Sequence, residues 1–262
     1  MFQPVLVSNG LTGWQFLQAT YDRQIATFNE STLIKRDTDH FAETIGSITS
    51  AEALVSDRQV LTVALGAFGL QDDLDNRFFI QKMLEEGTTA DDALANRFAD
   101  SRYRDLSEAF GLGPGETRGA TRPGFADDIV ARYQAGSFEI ATGAQDDAMR
   151  LALYAERVVP EITSAETSEN QKWFSIMGQA PLREVFETAL GLPTEFGQVD
   201  IDQQLDIFKD RAERILGVSD PAEFSDPDML DQLITNYLAR AQLESVGAGA
   251  SGASIALTLL SN

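Results

Sequence analysis

The sequence contains no cysteine and a single histidine, His40. The first absence removes disulfides, thiolate chemistry and Cys-based zinc or iron–sulfur sites. The second means that neither a multi-histidine metal site nor a catalytic triad can be assembled around His40. Basic residues are also scarce: 20 Lys and Arg against 41 Asp and Glu give a formal net charge of −21. Such a field repels phosphate backbones and anionic lipid surfaces, which argues against nucleic acid and membrane as partners and leaves proteins and cations. Long apolar runs are missing. The opening "MFQPVLVSNGLTGWQ" has no basic leader, and the C-terminal "SIALTLL" is far too short to span a bilayer. A cytoplasmic location is the default expectation, with export by a route lacking a cleaved leader left open.

Strand-like alternation is almost absent as well, and helical periodicity stands in its place. Trp14, Leu17, Tyr21, Ile25 and Phe28 recur at three- and four-residue steps, the stripe of a helix with one buried face. Ile201, Leu205, Phe208, Ala212 and Ile215 repeat the pattern, as do Leu230, Leu233, Ile234, Tyr237, Leu238 and Ala241. In "SDPDML" Ser225 or Asp226 suits a cap, Pro227 the first turn and Asp228 the positive helix end. With 43% hydrophobic and 23% charged residues over 262 positions, the chain reads as an all-α, multi-helix bundle-like array.

Four stretches share one design: "VALGAFGLQDD" (63–73), "AFGLGPG" (109–115), "ALGLPTE" (189–195) and "ILGVSDP" (215–221). A glycine after an apolar helical turn, followed by another apolar residue, is the pattern of a left-handed C-terminal cap. Gly69, Gly111, Gly191 and Gly217 are therefore expected to stop helices, with Leu70, Leu112, Leu192 and Val218 folding back. A binding loop is the competing reading.

"ITSAE" occurs at 48–52 and 162–166, and "NRF" at 76–78 and 96–98, suggesting two related helical halves. The expected organisation is an N-terminal half (1–112), a Gly/Pro-rich linker (113–124), a C-terminal half (125–245) and a flexible apolar tail (246–262), the halves packing separately or as one domain.

Motifs that suggest chemistry have ordinary counterparts. "GAGASG" (247–252) satisfies G-x-G-x-x-G, but a polar helix precedes it and only ten residues follow, so it reads as tail rather than dinucleotide site. Arg118 and Arg122 sit among glycines and offer a phosphate site or a solvated hinge. Asp72, Asp73 and Asp75, like Asp200, Asp202 and Asp206, offer oxygens to a hard cation, yet neither cluster has an EF-hand pattern, and helix capping is preferred. No residue is assigned to catalysis, cofactor or metal. Both ends are unusually apolar, and Phe2, Leu6, Trp14, Ile255, Leu257, Leu259 and Leu260 are the candidates for contact with a protein partner, docking on the body being the alternative.

The blocks "ALGAFGLQDDLDNRFFIQKMLEEGTTADDALANRFADSRY", "FEIATGAQDDAMRLALYAER" and "WFSIMGQAPLREVFETALGLPTEFGQVDIDQQLDIFKDRAERILG", with the N-terminal "GWQFLQATYDRQIATF", resemble the domain-of-unknown-function family numbered 1217. The resemblance runs from about residue 1 to about residue 243. The family occurs mainly in alphaproteobacteria, often encoded among flagellar genes, and has no established reaction, cofactor or site residue. The resemblance implies a non-enzymatic flagellum-associated protein with a structural or assembly role through protein contacts, its partners being flagellar components. A cytosolic chaperone or adaptor for a flagellar export substrate is the alternative, and a carboxylate- and Mg²⁺-dependent enzyme a third. Oligomeric state is not readable.

Overall fold

The chain folds into helices, many of them started or stopped by recognisable residues. The computed structural model describes residues 3–260, except the side chains of Thr194, Glu195 and residues 246–260. Among the described residues there are thirteen α-helices and no strand: α1 (Gly10–Asn29), α2 (Thr32–Thr44), α3 (Ala51–Ser56), α4 (Arg58–Ala67), α5 (Arg77–Glu86), α6 (Leu94–Arg97), α7 (Arg102–Phe110), α8 (Phe125–Gly143), α9 (Asp147–Ser164), α10 (Glu169–Gly178), α11 (Ala180–Leu190), α12 (Ile201–Leu216) and α13 (Pro227–Leu260). The all-α expectation holds.

Short polar side chains open many of these helices by accepting from first-turn amides that have no partner within the helix. Ser50 caps α3 and Asp57 caps α4, the latter through both Gln59 and Val60. Asp146 caps α9, and Ser168 and Gln171 form a reciprocal capping box on α10. At α13 the choice left open by the sequence falls to Asp226, whose Oδ1 accepts from the Asp228 amide at 3.0 Å.

The glycine stops are where the sequence puts them. Gly69 has φ +70°, its amide donates to Gly66 O at 3.3 Å, and the Leu70 amide donates to Leu65 O at 2.9 Å. This is the paired hydrogen bonding of a Schellman cap, and Leu70 is buried against the body. Gly191 repeats it at φ +62°, with Leu192 donating to Glu187 O at 2.8 Å. Gly111 and Gly217 are left-handed too, at φ +56° and +74°. Among the described residues, these four glycines end helices.

The chain divides into two compact units, but not where the composition suggests. The first comprises Met1–Val5 and Thr20–Thr142; the second comprises Leu6–Ala19 and Gly143–Asn262. The boundary thus falls within α1 and at the end of α8, and the expected linker, 113–124, is internal to the first unit. Gly113 and Gly119 are closely packed there, whereas Gly115 and Gly124 are left-handed turn positions with open space around a built Cβ. Glu116 accepts from the Thr88 amide at 2.6 Å, the Thr88 hydroxyl at 2.8 Å and the Gly113 amide at 2.9 Å, fastening the loop to the end of α5. Arg118 donates to Ile48 O at 3.3 Å, and Arg122 donates to Ala109 O at 3.4 Å and lies over the Phe125 ring. Both arginines thus hold the loop through backbone carbonyls, with Arg122 itself exposed. Gly/Pro content signals turns, and turns say nothing about whether a segment is packed.

The duplication also fails locally. Ser50 in the first "ITSAE" starts α3, whereas Ile162, Thr163 and Ser164 of the second close α9, so the same five residues do opposite work.

In the first unit α2 packs on α4 and α3 on α5, around Phe41, Leu54, Leu61, Leu65, Ile80 and Met83, all fully buried. Phe138 of α8 takes the rings of Tyr21 and Phe28 edge-on. In the second unit α11 packs on α13 and α9, and Trp173 is surrounded by Phe186, Phe208 and Phe224. Burial of these side chains is the main stabilising term in each unit.

Candidate functional site

The outstanding surface feature lies in the first unit, on α5, α6 and α7. In α5 the buried positions are Ile80, Met83 and Leu84. At about 100° per residue, Phe78 stands roughly opposite Ile80 and must point outward. It is 80% exposed, the most exposed large hydrophobic side chain among the described residues. Phe79 falls at the edge of the buried stripe, where its ring meets Phe98, just beyond α6, at 5.2 Å and Tyr103 of α7 at 5.5 Å. Phe98 and Tyr103 close the triangle at 5.4 Å, and Phe98 remains 40% exposed.

Polar contacts hold this triangle in place. The Tyr103 hydroxyl donates to Asp73 Oδ2 at 2.6 Å, while Asp73 Oδ1 accepts from Asn76 Nδ2 at 2.7 Å. Burial and the Asp73 carboxylate both push the Tyr103 phenol well above its ordinary value, so it stays a neutral donor. Arg102 grips Asp100 with Nε and Nη2 and donates from Nη1 to Gly69 O at 2.6 Å, tying the patch to the cap that ends α4. Asp75 pairs with Arg58 at 3.1 Å. The aspartates of "QDDLDN" are in part where expected: Asp72 and Asp73 lie in the first turn of a short 3-10 helix, Gln71–Asp73, but none caps a helix through its side chain. Asp73 and Asp75 are spent on side-chain contacts, and Asn76 precedes α5 without a side-chain cap. Asp200 does cap, accepting from the Asp202 amide at 3.0 Å.

His40 is used structurally. Its Nε2 lies 2.7 Å from Asp57 Oδ2, and Asp57 Oδ1 caps α4. Burial pushes the Asp57 carboxyl up, but the His40 hydrogen bond and the Val60 and Gln59 amides outweigh it and hold it below 3.8. Among the described residues, no group of three or more His, Cys, Asp or Glu is placed to hold a metal ion, and no helix is long and apolar enough to cross a membrane.

Of the residues expected to meet a partner, Leu6 and Trp14 have described side chains. Trp14 is only 4% exposed and belongs to the core, so it presents no contact surface. Leu6 is half-buried. Near it Val5 is held through its backbone: Gln24 Oε1 accepts from its amide at 2.6 Å, and Gln24 Nε2 donates to its carbonyl. Phe2 lies outside the described residues. So do the side chains of Ile255, Leu257, Leu259 and Leu260; as far as Leu260, the backbone of the tail expected over 246–262 continues α13. Phe78, Phe79, Phe98 and Tyr103 were not singled out from the sequence. Two signals were available: the repeated "NRF", and the misfit of Phe78 with the buried stripe of α5.

No curated protein matches the chain. A crystal structure of a protein from Agrobacterium tumefaciens aligns over 90% of this chain and 96% of that one, with a TM-score of 0.70 at 24% identity, a likeness of fold. Residues 67–230, more than half of the chain and including the whole aromatic patch, match the model of a family described as protein of unknown function, DUF1217. The chain belongs to the DUF1217 family.

Proposed function

We propose that this protein is a non-enzymatic, flagellum-associated component with a structural or assembly role, and that it works by binding another protein at the aromatic patch of its first unit. The exposure of Phe78 beside the Phe79–Phe98–Tyr103 triangle carries the binding half of this reading. Aromatic side chains on rigid supports are the usual anchors of protein interfaces, since they bury much area for little lost side-chain entropy. The net charge of −21 favours a protein partner over nucleic acid or an anionic membrane. The flagellar half rests on the resemblance to a family often encoded among flagellar genes. Membership of that family supports it, but no reaction or partner comes with the membership.

The test is genetic and biochemical together. In the bacterium that encodes the chain, a deletion should impair swimming, and the wild-type gene should restore it. The Phe78→Ser/Phe98→Ser double variant, changed only at exposed positions, should fold normally but fail to restore swimming or to co-purify with basal bodies and hooks. Normal flagella and swimming in the deletion strain would refute the flagellar role. A chaperone or adaptor would instead be absent from finished structures and needed for the solubility of one exported client.

A further inference from the structure

The tripeptide Asn-Arg-Phe occurs at 76–78 and again at 96–98, and a ring contact joins the neighbourhood of one copy to the other. Phe79, next to the first copy, packs on Phe98 of the second at 5.2 Å. Each copy therefore presents an exposed phenylalanine beside an exposed arginine, Arg77 with Phe78 and Arg97 with Phe98. Neither arginine has an ion pair among the described residues. Of the acids near them in the chain, Asp75 pairs with Arg58 and Asp100 with Arg102, Asp73 accepts from Tyr103 and Asn76, and Asp72, Asp91 and Asp92 are exposed. In a chain with twice as many acids as bases, these two guanidinium groups, without an ion pair and beside two exposed rings, are available to the carboxylates of a partner.

We infer that the two Arg-Phe pairs form a docking site for an acidic segment of another protein bearing an apolar anchor. Its carboxylates engage Arg77 and Arg97, and its anchor seats against Phe78 and Phe98. Guanidinium groups suit this task because they bind carboxylates through two parallel donors and keep their charge at every physiological pH. The inference rests on the reading of the patch as a partner surface and specifies the chemistry of that partner.

The test opposes local to global electrostatics. A short fluorescent peptide carrying Leu and Phe flanked by Glu, and its counterpart with Lys in place of Glu, are titrated into the full chain at low and moderate salt. The overall charge favours the Lys peptide; the patch favours the Glu peptide. The expected result is preferential binding of the Glu peptide that weakens with salt, falls about tenfold in Arg77→Ala/Arg97→Ala and is lost in Phe78→Ser/Phe98→Ser. Preference for the Lys peptide, or indifference to the arginine substitutions, overturns the inference. So does self-association, seen by sedimentation, that the arginine substitutions abolish, since a second copy would then be the occupant. Normal swimming in an Arg77→Ala/Arg97→Ala strain, alongside Glu-peptide binding that needs both arginines, sinks the flagellar reading and leaves this one standing. Lost swimming in the phenylalanine variant without acidic preference does the reverse.

Discussion

Gly66, in the last turn of α4, lies directly against the ring of Tyr133 on α8: a Cβ built at residue 66 would come within 2.6 Å of Tyr133 Cδ2. Three residues before the capping glycine of the same helix, this one does not stop anything. It lets two helices of the first unit approach closely, and Gly136 takes part, since a Cβ there would meet Gly66 O at 3.0 Å. Gly66→Ala is expected to cost about 1–3 kcal/mol by overpacking, despite the higher helix propensity of alanine. In a Tyr133→Leu background the cost should shrink, and urea denaturation of the four proteins in the cycle measures the coupling.

Gly46 and Gly217 separate backbone strain from crowding. Neither has an atom within 4 Å of a built Cβ, but Gly217 has φ +74° and Gly46 does not share that conformation. Gly217→Ala should destabilise by about 1 kcal/mol, the cost of a left-handed residue with a side chain. Gly46→Ala should be neutral or stabilising by about 0.4–1 kcal/mol, because it restricts only the unfolded chain. Melting temperatures moving in the same direction would contradict the left-handed cap at Gly217.

Glu116 satisfies three donors at the junction of α5 with the 111–124 loop. Glu116→Ala leaves the Thr88 and Gly113 amides without that acceptor and should cost about 2 kcal/mol. Amide hydrogen exchange at Thr88 and Gly113 should accelerate more than exchange in α8. Unchanged exchange at those two amides would show that the loop is held by other means.

Glu156 of α9 titrates above its ordinary range, because burial and the Asp231 carboxylate raise its pKa more than the Gln18 hydrogen bond, 2.8 Å, lowers it. A carboxyl with a higher pKa in the folded than in the unfolded state costs stability when ionised. The cost is fully present at neutral pH and is relieved as pH falls from the raised value toward 4.5. Glu156→Gln keeps an oxygen to accept from Gln18 and removes the charge. Its melting temperature should exceed that of the parent at pH 7, and the gap should close on acidification through that window. A gap that widens on acidification would show the opposite shift.

Helix positions and stops were legible because their causes are local. A left-handed glycine followed by Leu70 or Leu192 ends a helix by hydrogen bonds reaching six residues at most, so neighbouring residues suffice to foresee it. The stripe from Trp14 to Phe28 likewise announced a buried face, but reading Trp14 also as a partner contact asked one side chain to be both covered and free. The aromatic patch was not legible in the same way. Phe79 of α5, Phe98 just beyond α6 and Tyr103 of α7 meet from three separate segments, and that meeting depends on how those segments pack.

What the amino-acid sequence decides by itself, then, is the all-α class, the strong negative charge, the absence of thiol chemistry and the points where Gly69, Gly111, Gly191 and Gly217 end their helices. Each follows from composition or from residues within one or two turns of each other. Tertiary structure alone decided that 113–124 is packed rather than slack, that the division into units falls within α1 and at the end of α8, and that Gly66 serves contact where Gly69 serves a turn. These are matters of what lies opposite a residue in space, and that depends on pairings between segments distant in the chain.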